Sequence, residues 1–276
     1  MKTKLLFALL LPQLFALKSI AQQGQALNFD YNLNTNISLA NNIQLLDSFT
    51  IEAWINPDSK TDFSTIIGNK SPGIASPGYF LAINNYASSD GKIVFETQNA
   101  TNSTVANVIW NQWQHIAITW NGAKVRIYIN GAIQQLNDST YMNLQPSSSP
   151  CFLGDIPAYV GNGNYHGIID ELRVWNYAKS QQAIQTDMFC QLSGTPQGLL
   201  AYYQFNEGIS YGNNFGVNTL PDLSGNNNTG TLINYVLNGP DGNWLAPGGV
   251  SNITFSQNIA SCEGTTIIVG SNTYTS

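Results

Sequence analysis

Charge is scarce in this chain. Asp, Glu, Lys and Arg make up 9% of its 276 residues, and the 16 acids outnumber the 10 bases. Nucleic-acid binding depends on clustered Lys and Arg, so that class is excluded, and docking to anionic lipid is disfavoured. Cysteine is almost as rare: Cys151, Cys190 and Cys262, with no CxxC or Cys/His spacing that would hold zinc. An odd count leaves one thiol without a partner inside the chain, and a Cys151–Cys190 disulfide is one option. Long apolar runs are missing too. The best, residues 5–17, is short for a bilayer and is interrupted by Pro12 and Gln13. No membrane span is expected.

What is present is a globular composition, 43% hydrophobic and 11% aromatic, behind an export signal. Lys2 and Lys4 precede the apolar run, and Ser19-Ile20-Ala21 offers a small-x-small cleavage site. The expected location is therefore secreted or cell-surface, after cleavage near Ala21. Loss of Lys2, Lys4 and Lys18 would make the formal charge of −6 still more negative.

From Ala26 onward the pattern is strand and turn. "FTIEAWINP" alternates Phe49, Ile51, Ala53 and Ile55 against Thr50, Glu52, Trp54 and Asn56, then stops at Pro57. "WQHIAITWNGAKVRIYINGAIQ" holds two period-2 runs joined at Asn121-Gly122, and Asn130-Gly131 repeats that turn signal. One helix is convincing, with Ser180 as N-cap and Ile184 and Met188 four apart. The fold class expected is all-β, a two-sheet antiparallel sandwich with one short helix. Residues 22–190 read as the main domain after a 1–21 signal, 191–249 as an extension completing or flanking it, and 250–276 as the start of a further β domain. The last stretch is too short to bury a core, so the polypeptide is expected to continue into further domains.

"ALNFD", "FTIEAWINP", the 113–134 hairpin and "HGIIDELRVWN" together resemble laminin-G-like jelly-roll domains of the concanavalin A-like lectin/glucanase group, as found in large secreted Bacteroidota-type proteins. The resemblance covers about residues 25–190 and implies a jelly-roll sandwich, with calcium at a sandwich rim in many relatives. It also implies that Cys262 pairs with a cysteine beyond residue 276. Glucanases of this fold carry a Glu-x-Asp-x-x-Glu run on one strand. This chain has none, and Glu52 and Glu96 stand alone.

Asp170 and Glu171 are the carboxylates that raise the question of catalysis. Adjacent strand residues point to opposite faces, whereas a glycosidase needs two carboxylates flanking one bond. No catalytic residue is therefore assigned. Strand alternation puts Asp170 in a row with Ile168, Leu172 and Val174, and pairs Glu171 with Arg173 as a partly exposed ion pair. A carboxylate in an aliphatic row needs a hydrogen-bond partner or an ion. Calcium is the candidate cofactor, with Asp30 and Asp170 as ligands if the first strand lies beside 168–175. Asp222 in "DLSGNNN" is another candidate ligand. His115 reads as structural. Tyr86, Trp110, Tyr159 and Tyr165, in or near expected loops, are candidates for stacking on sugar rings. The function expected is a non-catalytic binding or adhesion module, with a glycan or an extracellular protein as partner. A spacer without a specific ligand and an accessory domain of a glycoside hydrolase are the alternatives.

Overall fold

The computed structural model describes residues 24–59, 62–72, 75–137, 142–157, 163–239, 242–250, 266–269 and 272–275. The leader, Tyr159 and Cys262 lie outside the described residues.

Two sheets of eight strands face each other. The first runs β10 (Ala132–Ile133), β9 (Val125–Ile129), β8 (Gln114–Trp120), β3 (Phe49–Pro57), β12 (Gly167–Trp175), β1 (Ala26–Phe29) and β16 (Trp244–Leu245), with β13 (Leu199–Tyr203) also paired to β12. The second runs β14 (Thr219–Leu220), β15 (Gly230–Ile233), β2 (Asn36–Leu39), β11 (Phe152–Leu153), β4 (Ser64–Gly68), β5 (Phe80–Ile83), β6 (Lys92–Glu96) and β7 (Thr101–Asn107). The named pairs are antiparallel. A separate hairpin joins β17 (Thr266–Val269) to β18 (Asn272–Thr275).

The alternation in β3 does what its period dictates. Phe49, Ile51, Ala53 and Ile55 enter the core between the sheets, while Thr50, Glu52 and Trp54 take the outer face. That outer face is also buried, because helix α1 (Gln181–Asp187) lies across the first sheet with Ile184 against Ala117 and Tyr128. The Ser180 hydroxyl accepts from Ala183 N–H at 3.2 Å and caps the helix. Asn130 (φ +49°) and Gly131 (φ +71°) make the two-residue turn between β9 and β10, the doubly positive φ that Asn-Gly tolerates.

Residues 191–249 are strands of both sheets: β13 pairs with β12, β15 with β2 and β16 with β1. Cys151 is a free thiol, fully buried, so the Cys151–Cys190 disulfide is not formed. Burial, only partly opposed by hydrogen bonds from the chain, pushes the Cys151 thiol up to about 12.

The strand "GIIDELRVW" departs from simple alternation. The β12–β3 register shifts between Asp170 and Arg173, and Glu171 has φ +51°. This bulge inserts an extra residue, so Ile169, Leu172 and Val174 form the core row. Asp170 is therefore not in an aliphatic row. It shares the outer face with Arg173 and Trp175. The bulge also divides the edge of β12: Gly167–Ile169 pair with β1, and Leu172–Trp175 pair with β13.

Candidate functional site

The outer face of the first sheet holds a dense charge cluster. Glu171 and Arg173 do pair, at 2.7 Å, but both side chains are 1% exposed, so this is a buried pair rather than a surface one. Tyr202 donates to the same Glu171 oxygen at 2.7 Å. Glu52 accepts from Lys179 Nζ and from Trp175 Nε1, each at 2.9 Å, and Lys179 reaches on to Asp187 of α1 at 2.8 Å. His115 lies edge-on to Trp54 and 3.9 Å from Glu52. Burial first of all, then Arg173 and Lys179, drives its pKa down to about 3 against the pull of Glu52, so it is neutral at pH 7. These groups clamp α1 to the sheet and offer no opening to a ligand.

Asp170 accepts from Gly249 N–H at 2.7 Å, and Gly248 N–H donates to Gly24 O at 2.7 Å, so residues 246–249 form a strap over this face. Burial, and then Glu171, raise the Asp170 pKa well above its ordinary value. A carboxyl raised in the folded state contributes stability below its unfolded pKa of about 3.9, and loses it as pH climbs toward the folded value. Asn keeps the acceptor but cannot ionise. Asp170→Asn is therefore expected to be more stable than the parent at pH 7–8, with the gap closing near pH 4, as read by thermal unfolding across pH.

The other acidic candidates do not gather around a common centre. The first strand does lie beside β12, but Phe29 pairs with Gly167, which sets Asp30 next to His166. Four residues of strand separate that position from Asp170, about 13 Å. Asp30 instead caps a 3-10 turn, accepting from Asn32 N–H at 2.8 Å. Asp222 accepts from Tyr202 N–H and Ser224 N–H on one oxygen, and from the Ser224 hydroxyl and Asn228 N–H on the other. That occupies the acceptor positions a metal would use and makes 222–228 a self-closed turn. Among the described residues no three His, Cys, Asp or Glu side chains are grouped to hold a metal.

The aromatic candidates separate by burial. Tyr165 is 0% exposed and packs edge-on to Phe29 at 5.9 Å, so it offers no face to a sugar. Trp110 is half-buried against the core. Tyr86 is 73% exposed.

Tyr86 stands on one wall of a cleft of about 540 Å³ on the outer face of the second sheet. Its floor is Phe63, packed on Phe80 at 5.0 Å and on Tyr86 at 6.5 Å between ring centres. The opposite wall is the turn from Glu96 to Thr101. Both walls are held in place. Asn84 (φ +64°) accepts from Gly91 N–H and donates to Asp62 O, and Asn85 accepts from Tyr86 N–H. Across the cleft, Thr97 N–H bonds Ala100 O, and Asn99 accepts from Asn143 N–H at 2.9 Å. Glu96 is paired with Lys70 at 3.5 Å, and Thr101 donates to it at 3.5 Å. Burial raises its pKa above the ordinary value, more than Lys70 and Thr101 lower it. Gln98 Oε1 is buried with no hydrogen-bond partner among the described residues. The cleft thus joins an exposed aromatic ring to a row of amides, hydroxyls and one carboxylate, which can stack on an apolar face and bond polar edges together.

Of the cleft residues, only Tyr86 stands out in the sequence. Phe63 sits in the polar stretch "TDFS", and Glu96 ends "GKIVFE" without a neighbouring acid. The legible signal was the period of β6, which puts Lys92, Val94 and Glu96 on the face away from core residues Ile93 and Phe95.

A solved structure of a candidate carbohydrate-binding protein from Bacteroides ovatus is 24% identical, with a TM-score of 0.63, over 82% of this chain and 62% of that one. A heptameric SAP-like pentraxin from Limulus polyphemus is 16% identical, with a TM-score of 0.46, over 59% of this chain and 81% of that one. Human pappalysin-1 is 23% identical over 164 residues, 51% of this chain and 10% of that protein, so the chain matches a small part of its length. The family description "Concanavalin A-like lectin/glucanases superfamily" matches residues 31–185, more than half of the chain. This chain belongs to the concanavalin A-like lectin/glucanases superfamily.

Proposed function

We propose that the protein is an exported, non-catalytic carbohydrate-binding module of a larger extracellular or cell-surface polypeptide, and that its glycan lies in the Tyr86–Glu96 cleft. The observation that carries this is the exposed Tyr86 ring, on a loop pinned by Asn84 and Asn85, facing a pinned wall of polar side chains. A loop ordered before the ligand arrives spares the cost of ordering it on binding. The likeness to the Bacteroides ovatus protein across 82% of the chain supports the same reading.

The placement of the acids supports a non-catalytic role. Glycoside hydrolysis uses two carboxyl groups about 5–9.5 Å apart across the sugar. The carboxylate lining the cleft is Glu96, tied to Lys70, while Asp170 and Glu171 sit on the other sheet, buried.

The test is a glycan array probed with the intact chain and with Tyr86→Ala, in calcium and in EDTA. Binding to a defined glycan set is expected, weakened about tenfold or more in the variant, the loss of roughly 1.4 kcal/mol of stacking. Binding is expected to survive EDTA, because one carboxylate in the cleft makes a poor calcium site. A folded sample that binds nothing would move the reading to a spacer or to a protein ligand.

A further inference from the structure

We propose that the cleft selects neutral, hydroxyl-rich glycans over anionic ones, and that Glu96 makes the choice; this rests on the carbohydrate reading above. The charges around the cleft are unequal in access. The Glu96 side chain is 17% exposed at the cleft wall, whereas its partner Lys70 is 0% exposed and cannot reach a ligand. Lys92, the other cation on that face of β6, is bound to Asp90 at 3.1 Å. The remaining polar lining, from Asn85, Thr97, Gln98, Asn99 and Thr101, is uncharged.

An anionic sugar entering here meets a carboxylate and, among the described lining residues, no cation. Like charges in a partly desolvated cleft repel more strongly than they do in water, and a chain of net charge −6 does not draw anions toward it.

A neutral sugar meets the opposite situation. The Glu96 contacts with Lys70 and Thr101 are both 3.5 Å, longer than the 2.7–2.9 Å of a strong charge-assisted bond, so the carboxylate keeps acceptor capacity. Gln98 Oε1 also lacks a donor among the described residues. A cleft rich in unfilled acceptors calls for a ligand rich in donors, and neighbouring sugar hydroxyls supply them. Tyr86 holds the ring face while Glu96 and the Gln98 amide take its edge.

The experiment measures affinity of the intact chain for neutral oligosaccharides and for matched oligosaccharides carrying a sialic or uronic acid. Neutral forms are expected to bind about tenfold more tightly or better. In the double variant Glu96→Gln with Lys70→Met, which removes both charges of the pair, that gap is expected to close to less than about threefold. Circular dichroism checks that it is folded. Equal or tighter binding of the acidic forms overturns this inference alone, as does a gap that the double variant leaves unchanged. Binding of neither set overturns the carbohydrate reading and this inference with it.

Discussion

Glu52→Ala is expected to destabilise the protein by about 3–5 kcal/mol, the usual cost of breaking a buried ion pair from one side. Glu52 is 0% exposed in the middle of β3, where it accepts from Lys179 and Trp175 and lies 3.9 Å from Arg173 and from His115. Lys179 and Arg173 are each 1% exposed, and without Glu52 neither could recover its lost partner from water. Burial pushes the Glu52 pKa up, yet Lys179, Arg173 and His115 together pull it below the ordinary value. A depressed carboxyl contributes stability above its unfolded pKa of about 4.3, and loses it as pH falls through the folded value. Urea unfolding at pH 7 should therefore show the full loss, and at pH 3 the parent and the variant should draw together. A cost below about 1 kcal/mol at pH 7 would mean that the cluster is incidental. The cluster matters to function by exclusion. It fastens α1 over the first sheet, while the Tyr86 cleft opens on the outer face of the second.

The second large effect is expected from Trp244→Ala, at about 3–5 kcal/mol. Trp244 is 0% exposed and stands on β16, paired to β1. A Cβ on Gly208 would come within 2.4 Å of its ring, so the chain passes closely over the indole. The residue lies well beyond the end of the family match at residue 185, yet it belongs to the same core as Phe29 and Phe205. One cooperative urea transition, shifted as a whole, is the expected result. If residues 191–249 were an appendage, the variant would instead show two transitions, with the main one unmoved. By the same reasoning a chain ending at residue 190 loses β13, β15 and β16, and its core loses Tyr203, Leu232 and Trp244. It is expected not to fold cooperatively.

The elements that could be read from sequence are those decided locally. The alternation of "FTIEAWINP", the Ser180 cap and the Asn130-Gly131 turn each need only neighbouring residues, and each is in the structure as expected. What could not be read depends on partners far along the chain. One bulge at Glu171 moves Asp170 out of the aliphatic row. One register, Phe29 against Gly167, keeps Asp30 away from Asp170. Tyr86 and Tyr165 look alike in the sequence, both in turn-rich stretches, yet one is 73% exposed and the other 0%. The difference lies with Phe29, which covers Tyr165 from 136 residues away. The cleft itself is made where Phe63, Tyr86 and the 96–101 turn meet across three strands, a meeting that no single stretch announces.

The Gly24–Gly248 hydrogen bond brings the residues just before β1 beside the strap that follows β16. Both lie on the first sheet, on the side of Asp170 and Trp54, while the Tyr86 cleft opens from the opposite side. Residues 24 and 248–249 therefore lie away from the cleft, and neither stands between it and solvent.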